Sequence, residues 1–135
     1  MLNEVQIMNI LIVEDNKYQL ENLKKMVIEG LGNHAGNIYI ASDIANAQKI
    51  YEEDHIDFFM LDISLGYESG LKLADMIHST PSYEDACIAV ISAHKKYENQ
   101  ATGVSKCHVF IEKPYRKEEI IELVNRALIH HLEKI

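Results

Sequence analysis

The chain predicts one α/β domain: a parallel sheet with helices packed on both of its faces. Two observations carry that reading. Five short apolar runs, of the length and composition of buried strands, alternate with segments whose apolar residues recur at helical spacing. At 135 residues the length suits a single domain, and no repeat, low-complexity tract or linker divides it. A strict strand–helix alternation finds its ordinary solution in right-handed crossovers between parallel neighbours.

The first strand is Met8-Asn9-Ile10-Leu11-Ile12-Val13, and Glu14-Asp15-Asn16 follows it. Asn16, with Gln19 three residues on, has the pattern of a capping box. Leu20, Leu23, Val27 and Leu31 then line one helical face, and Gly30 and Gly32 mark the stop. Residues 37–41 form a second strand. Asp43 caps a helix with Ala47, Ile50 and Tyr51 inward. The third strand, Phe58 to Leu61, is wholly apolar and delivers Asp62 at its end. The glycines of Gly66-Tyr67-Glu68-Ser69-Gly70 predict a loop, and a helix over 71–78 turns Leu73, Ala74 and Ile77 inward, with Pro81 beyond it.

Residues 86–92 (ACIAVIS) make the fourth strand. The pattern over 94–105 is poor, with Tyr97, Ala101 and Val104 as its apolar anchors, and predicts a short, weakly specified fourth helix. Val109-Phe110-Ile111 is the fifth strand, ending in Glu112-Lys113-Pro114. The last helix spans 117–133 on Ile120, Val124, Ala127 and Leu128.

The bulk numbers exclude several classes. Twenty-one acids against 13 bases give a net charge of −8, which argues against a broad nucleic-acid or anionic-membrane surface. No apolar run reaches the length of a membrane span, and the first residues lack a signal-peptide core. Cys87 and Cys107 have no metal-type spacing and read as buried thiols in a reducing compartment, so the expected location is cytoplasmic. His130 and His131 point apart on their helix and read as its solvated end rather than as a metal site.

Chemistry collects at the strand ends. In open parallel sheets, sites form beyond the carboxyl ends of the strands. Those ends carry Glu14 and Asp15, Asp62, Ser92 and Lys113. Three carboxylates and one ammonium leave two negative charges uncompensated, which a divalent cation would neutralise. Oxygen-only ligands in an open pocket suit Mg²⁺. Transfer of a phosphoryl group to Asp62 would replace one negative charge by about two, facing Lys113, the cation and the Ser92 hydroxyl. Each residue also has an ordinary reading: Asp62 as a turn cap, Glu14 and Asp15 as acids at a helix start, Ser92 as a strand-end hydroxyl, Lys113 as a surface lysine, and Phe110 as core packing.

These residues, in this order, resemble the receiver domains of two-component response regulators over essentially the whole chain. The match consists of Glu14-Asp15, Asp62, Ser92-Ala93 and Lys113-Pro114, each at its strand end, with Phe110 on the family's aromatic switch position. Glu for the first acid, Ser for the usual Thr and Phe for Tyr depart from the commonest pattern but keep its chemistry. The resemblance implies a flavodoxin-like (βα)5 fold with strand order 2-1-3-4-5, filling residues 1–135. It implies Mg²⁺ held by Asp15, Asp62 and the Ser64 backbone carbonyl, with Glu14 acting through water. Asp62 would take the phosphoryl group from a sensor histidine kinase or phosphotransfer protein, with Lys113 and Ser92 stabilising it. Ser92 and Phe110 would switch the face of the fourth helix, fifth strand and fifth helix, and Ser64 and His94 would tune the phosphoryl lifetime.

Such a chain is a signalling phosphoacceptor that promotes only its own phosphotransfer and dephosphorylation, not an enzyme in the ordinary sense. Homodimerisation on phosphorylation is a family expectation. The loop over 66–70 is similar to that of receivers that precede LytTR-type DNA-binding domains, so an output domain is expected in a longer protein and no direct nucleic-acid contact here. Two rival functions remain. One is a degenerate receiver serving as a constitutive binding module, against which the full acid set and Lys113 speak. The other is a flavin- or nucleotide-binding protein of the same topology, whose phosphate loop Glu14-Asp15-Asn16-Lys17 would repel.

Overall fold

The structure, a computed structural model, describes residues 5–94 and 109–134. Five strands, β1 (Met8–Val13), β2 (Ala35–Ala41), β3 (Phe58–Asp62), β4 (Cys87–Ser92) and β5 (Val109–Glu112), form one sheet in the order β2-β1-β3-β4-β5. Every neighbouring pair is parallel. Val13 lies between Ala41 and Leu61, and Leu61 lies beside Val90, so the carboxyl ends reach one edge together. The expected flavodoxin-like order is the observed one.

Strict alternation splits the core in two. Leu11, Val13, Phe59, Leu61, Ile88 and Val90 face helices α2 (Ile44–Glu53) and α3 (Gly70–His78). Met8, Ile10, Ile12, Phe58, Met60, Ala89 and Ile91 face α1 (Lys17–Leu31) and the C-terminal helix (Lys117–Glu133). Because side chains alternate along a strand, the next same-face positions after Ile12, Met60 and Ile111 are Glu14, Asp62 and Lys113. A period of two therefore sends all three toward the α1 side. The same alternation sends Ser92 and Phe110 toward the α2–α3 side, where Phe110 packs half-buried against the core.

Several boundaries differ from expectation. α1 runs through Gly30, which sits against Val124, and stops at Gly32 with φ 57°. β2 starts at Ala35, two residues early, and β5 continues through Glu112. The stretch read as a loop holds a small antiparallel hairpin, Ser64–Leu65 against Glu68–Ser69, with Gly66 at φ 65° in its turn and Tyr67 fully exposed at the tip. His131 is not simply solvated: it is half-buried, and its ring approaches the Ile7 carbonyl and Asp57. Cys87, expected to be buried, is half-buried at the start of β4. The fourth helix expected over 94–105 and Cys107 lie outside the described residues, apart from His94.

Candidate functional site

Three short backbone bonds gather the strand ends. Glu14 N donates to Ala41 O at 3.1 Å, Ile63 N to Ile91 O at 3.0 Å, and Lys113 N to Ser92 O at 2.8 Å. Each continues a ladder one residue past its strand, so the polar side chains that follow are held by sheet geometry rather than by mobile loop. Among the described residues, the buried polar or charged ones are Glu14 (2% exposed), Asp62 (4%) and Ser92 (2%). All three are expected site residues. Burying acids is costly unless they are paired.

Lys113 supplies the pairing. Its ammonium donates to Asp62 Oδ2 and, at 3.0 Å, to Glu14 Oε1. It also donates to Gln19 Oε1 at 2.8 Å. The other oxygens are bound locally: Asp62 Oδ1 accepts from Ser64 N at 2.7 Å and Glu14 Oε2 from Asn16 N at 3.3 Å. One cation does not balance the buried acids. Burial, with Asp62 beside it, pushes Glu14 up to about 7 despite the lysine. Burial alone would lower Lys113, but its hydrogen bonds to Asp62 and Glu14 outweigh that and raise it.

Asp15 is exposed at the rim, where its Oδ2 accepts from Gly66 N at 3.0 Å and so ties the end of β1 to the hairpin. Glu68 ties the hairpin's other arm to α2, accepting from Ile44 N at 3.2 Å. Gly70 lies so close beneath the site that a β-carbon there would overlap the Asp62 carbonyl. The resulting cleft, about 320 Å³, is lined by Glu14, Asp15 and Gln19 on one side and by Asp62, Ser64 and Lys113 on the other.

Of the expected residues, the structure brings Glu14, Asp62 and Lys113 into direct contact and sets Asp15 and Ser64 on the same cleft. It places Ser92 and His94 beside it instead: Ser92 Oγ accepts from His94 N at 2.9 Å, closing a local turn. Phe110 stands beside Val90 on the opposite face. Sequence reasoning missed Gln19, which it had assigned to a capping box. Only half of that box forms, Gln19 N to Asn16 Oδ1 at 3.0 Å, and the side chain goes to Lys113. It also missed Gly70, for which the paired glycines of 66 and 70 were the available signal.

The family model for the response regulator receiver domain matches residues 10–125. The sensory transduction protein LytR of Streptococcus mutans is 28% identical over 132 residues, covering 95% of this chain and 52% of that protein. LytR of Streptococcus agalactiae is 28% identical over 113 residues, covering 84% of this chain and 45% of that protein. The chain thus spans about half the length of these curated relatives. Among solved structures, the signal receiver domain of an HD domain-containing protein from Pseudomonas fluorescens superposes with a TM-score of 0.81 at 18% identity, covering 95% of this chain and 99% of that one. The response regulator TrrA of Thermotoga maritima, solved with Mg²⁺ and BeF, gives 0.69 at 24%, covering 90% and 99%. At these identities the structures speak to the fold, and the family model, which spans most of the chain, speaks to kinship. This chain belongs to the receiver domains of two-component response regulators.

Proposed function

We propose that Asp62 is the phosphoacceptor of this receiver, taking its phosphoryl group from a phosphohistidine on a sensor histidine kinase or phosphotransfer protein. The observation that carries the reading is the surplus of buried negative charge. Asp62 and Glu14 share one ammonium at the floor of an open cleft, with Asp15 at its rim. A purely structural ion pair has no need of a second buried acid or of access to solvent.

The donor set suits a small divalent cation: oxygen atoms only, in a cleft open to water, with two negative charges that Lys113 leaves over. Mg²⁺ would be held by two carboxylates, Asp15 and Asp62, and by the Ser64 carbonyl, with water completing the set and Glu14 acting through one such water. When bound, the cation supplies positive charge to the phosphoryl oxygens.

The chain's own residues do the rest. An Asp62 carboxylate oxygen forms the new P–O bond as the donor's P–N bond breaks, and the electron pair leaves on the imidazole, which takes up a proton. Asp62 then carries about two negative charges in place of one. The Lys113 ammonium turns from the carboxylate to a phosphoryl oxygen. Ser92 leaves its turn with His94 to donate a second hydrogen bond, and the change is felt at Phe110, β5 and the C-terminal helix. Ser64 and His94 flank the acyl phosphate and control the approach of water. Dimerisation through that face and a DNA-binding output segment, in a longer protein of the LytR kind, complete the proposed pathway. No helix among the described residues is long and apolar enough to cross a membrane, and the proposed place of action is the cytoplasm.

Incubation with Mg²⁺ and acetyl phosphate, followed by intact mass, tests the reading. One phosphoryl adduct is expected on the native chain and none on Asp62→Ala. No adduct on the native chain, or an equal one on the variant, would sink it.

A further inference from the structure

We propose that Gln19 is a positioning residue for the phosphoryl chemistry, anchoring the Lys113 ammonium beside Asp62 through a neutral amide. The inference rests on the phosphoacceptor reading of Asp62. A lysine ammonium has three N–H donors. Here they go to Asp62 Oδ2, Glu14 Oε1 at 3.0 Å and Gln19 Oε1 at 2.8 Å. Every donor is therefore used, and Gln19 stands where water would otherwise complete the set.

The local sequence explains why the amide is free to do this. In a capping box the Gln19 side chain would turn back to the Asn16 amide. That N–H is taken instead by Glu14 Oε2 at 3.3 Å. Gln19 keeps only the backbone half of the box, at 3.0 Å to Asn16 Oδ1, and its carboxamide turns into the cleft. One acid thus binds Lys113 with one oxygen and releases a second partner for Lys113 with the other.

Neutrality is the useful property. The cleft already holds more negative charge than Lys113 offsets, and phosphorylation adds one more. A carboxylate at position 19 would compete with the phosphoryl group for the ammonium and repel the anionic donor. An amide accepts the same hydrogen bond without either effect. Of the three acceptors on Lys113, Asp62 changes charge in the reaction, while Gln19 can hold the flexible lysine stem before and after it.

The test uses Gln19→Met and Gln19→Glu, each alone and combined with Lys113→Ala. Phosphorylation by acetyl phosphate with Mg²⁺ is timed by intact mass, and solvent exchange of the Lys113 ammonium protons is followed by ¹⁵N NMR without phosphodonor. Gln19→Met should speed that exchange and slow phosphorylation about tenfold, the loss of one hydrogen bond to a charged group. In the Lys113→Ala background the same change should alter the residual rate by less than about twofold, because the two residues act as one unit. Gln19→Glu should keep the exchange slow yet lower the rate, with the loss shrinking as salt is added. Unchanged ammonium exchange in Gln19→Met, or an equal slowing in both backgrounds, overturns the proposal. A native chain that takes no phosphate on Asp62 overturns the phosphoacceptor reading instead, and the NMR measurement separates that failure from loss of the Gln19 contact.

Discussion

The two ends of the sheet hold comparable amounts of polar chemistry and use it differently. At the amino end, Asp57 Oδ2 accepts from Asn9 N at 2.8 Å, and Oδ1 meets His55 Nε2 at 2.9 Å and His131 Nδ1 at 3.9 Å. Asn9 in turn accepts from Asn37 N at 2.8 Å and donates to His55 O at 3.2 Å. That network pins the start of β1 to β2, to the approach to β3 and to the C-terminal helix. Its single acid has two histidines and a backbone amide. At the carboxyl end, two buried acids share one lysine. Cavities open at both ends, about 360 Å³ at the amino end and, at the carboxyl end, about 320 Å³ over Asp62 and about 510 Å³ beside Asp15, Ala41 and Ser42. What sets the ends apart is the crowding of two buried acids on one ammonium.

Four changes break or sharpen that contrast. The largest effect is expected from Gly70→Ala, whose new methyl group would meet the Asp62 carbonyl and push the hairpin off the site. A loss of about 3 kcal/mol or more in urea unfolding, together with loss of phosphorylation, is expected; a variant as stable as the native chain would show that the close approach is not required.

Next is a pH dependence confined to the charged end. Burial holds Glu14 near 7 in the folded chain against 4.5 ordinarily, so between those values the folded state binds more protons than the unfolded one. Stability therefore falls as pH rises through that window, by at most about 3 kcal/mol, with metal-free protein. Glu14→Gln should flatten the slope in denaturant melts from pH 5 to 8, and an undiminished slope would assign it elsewhere.

Mg²⁺ should reverse that loss at pH 8. At about a hundredfold excess over its dissociation constant it should add about 2.7 kcal/mol, read as a raised melting temperature. The gain should vanish in Asp62→Ala and survive in Asp57→Ala. The smallest effect is expected at the amino end, where Asp57→Ala leaves the Asn9 amide without its acceptor and costs about 1–2 kcal/mol. Its phosphorylation rate should match that of the native chain; a matching drop would mean that the two ends are coupled.

Much of this was legible in the residues because it is local. A run such as Phe58 to Leu61 ends at its first acid, and each of Glu14, Asp62 and Lys113 lies at or just past the end of an apolar strand. Ser92 ends the fourth strand in the same way. The hairpin over 64–69 was not legible, since two-residue strands carry too little periodicity and this one is held by distant groups, Asp15 and Ile44. Gln19 was misassigned for the same reason. Its position three residues past Asn16 is a local signal for a cap, whereas the lysine that captures it is 94 positions away.

By itself the sequence determined the alternation of strands and helices, the strand order through its family resemblance, and which acids stand at the strand ends. Those follow from apolar spacing and from short-range polarity, which act between near neighbours in the chain. Tertiary structure alone decided which oxygens share the Lys113 ammonium, that Glu14 frees Gln19 by taking the Asn16 amide, and that Ser92 and Phe110 stand on the face opposite Glu14, Asp62 and Lys113. Hydrogen-bond partners are chosen by distance in space, and α1, β3 and the end of β5 meet only when the sheet has closed between them.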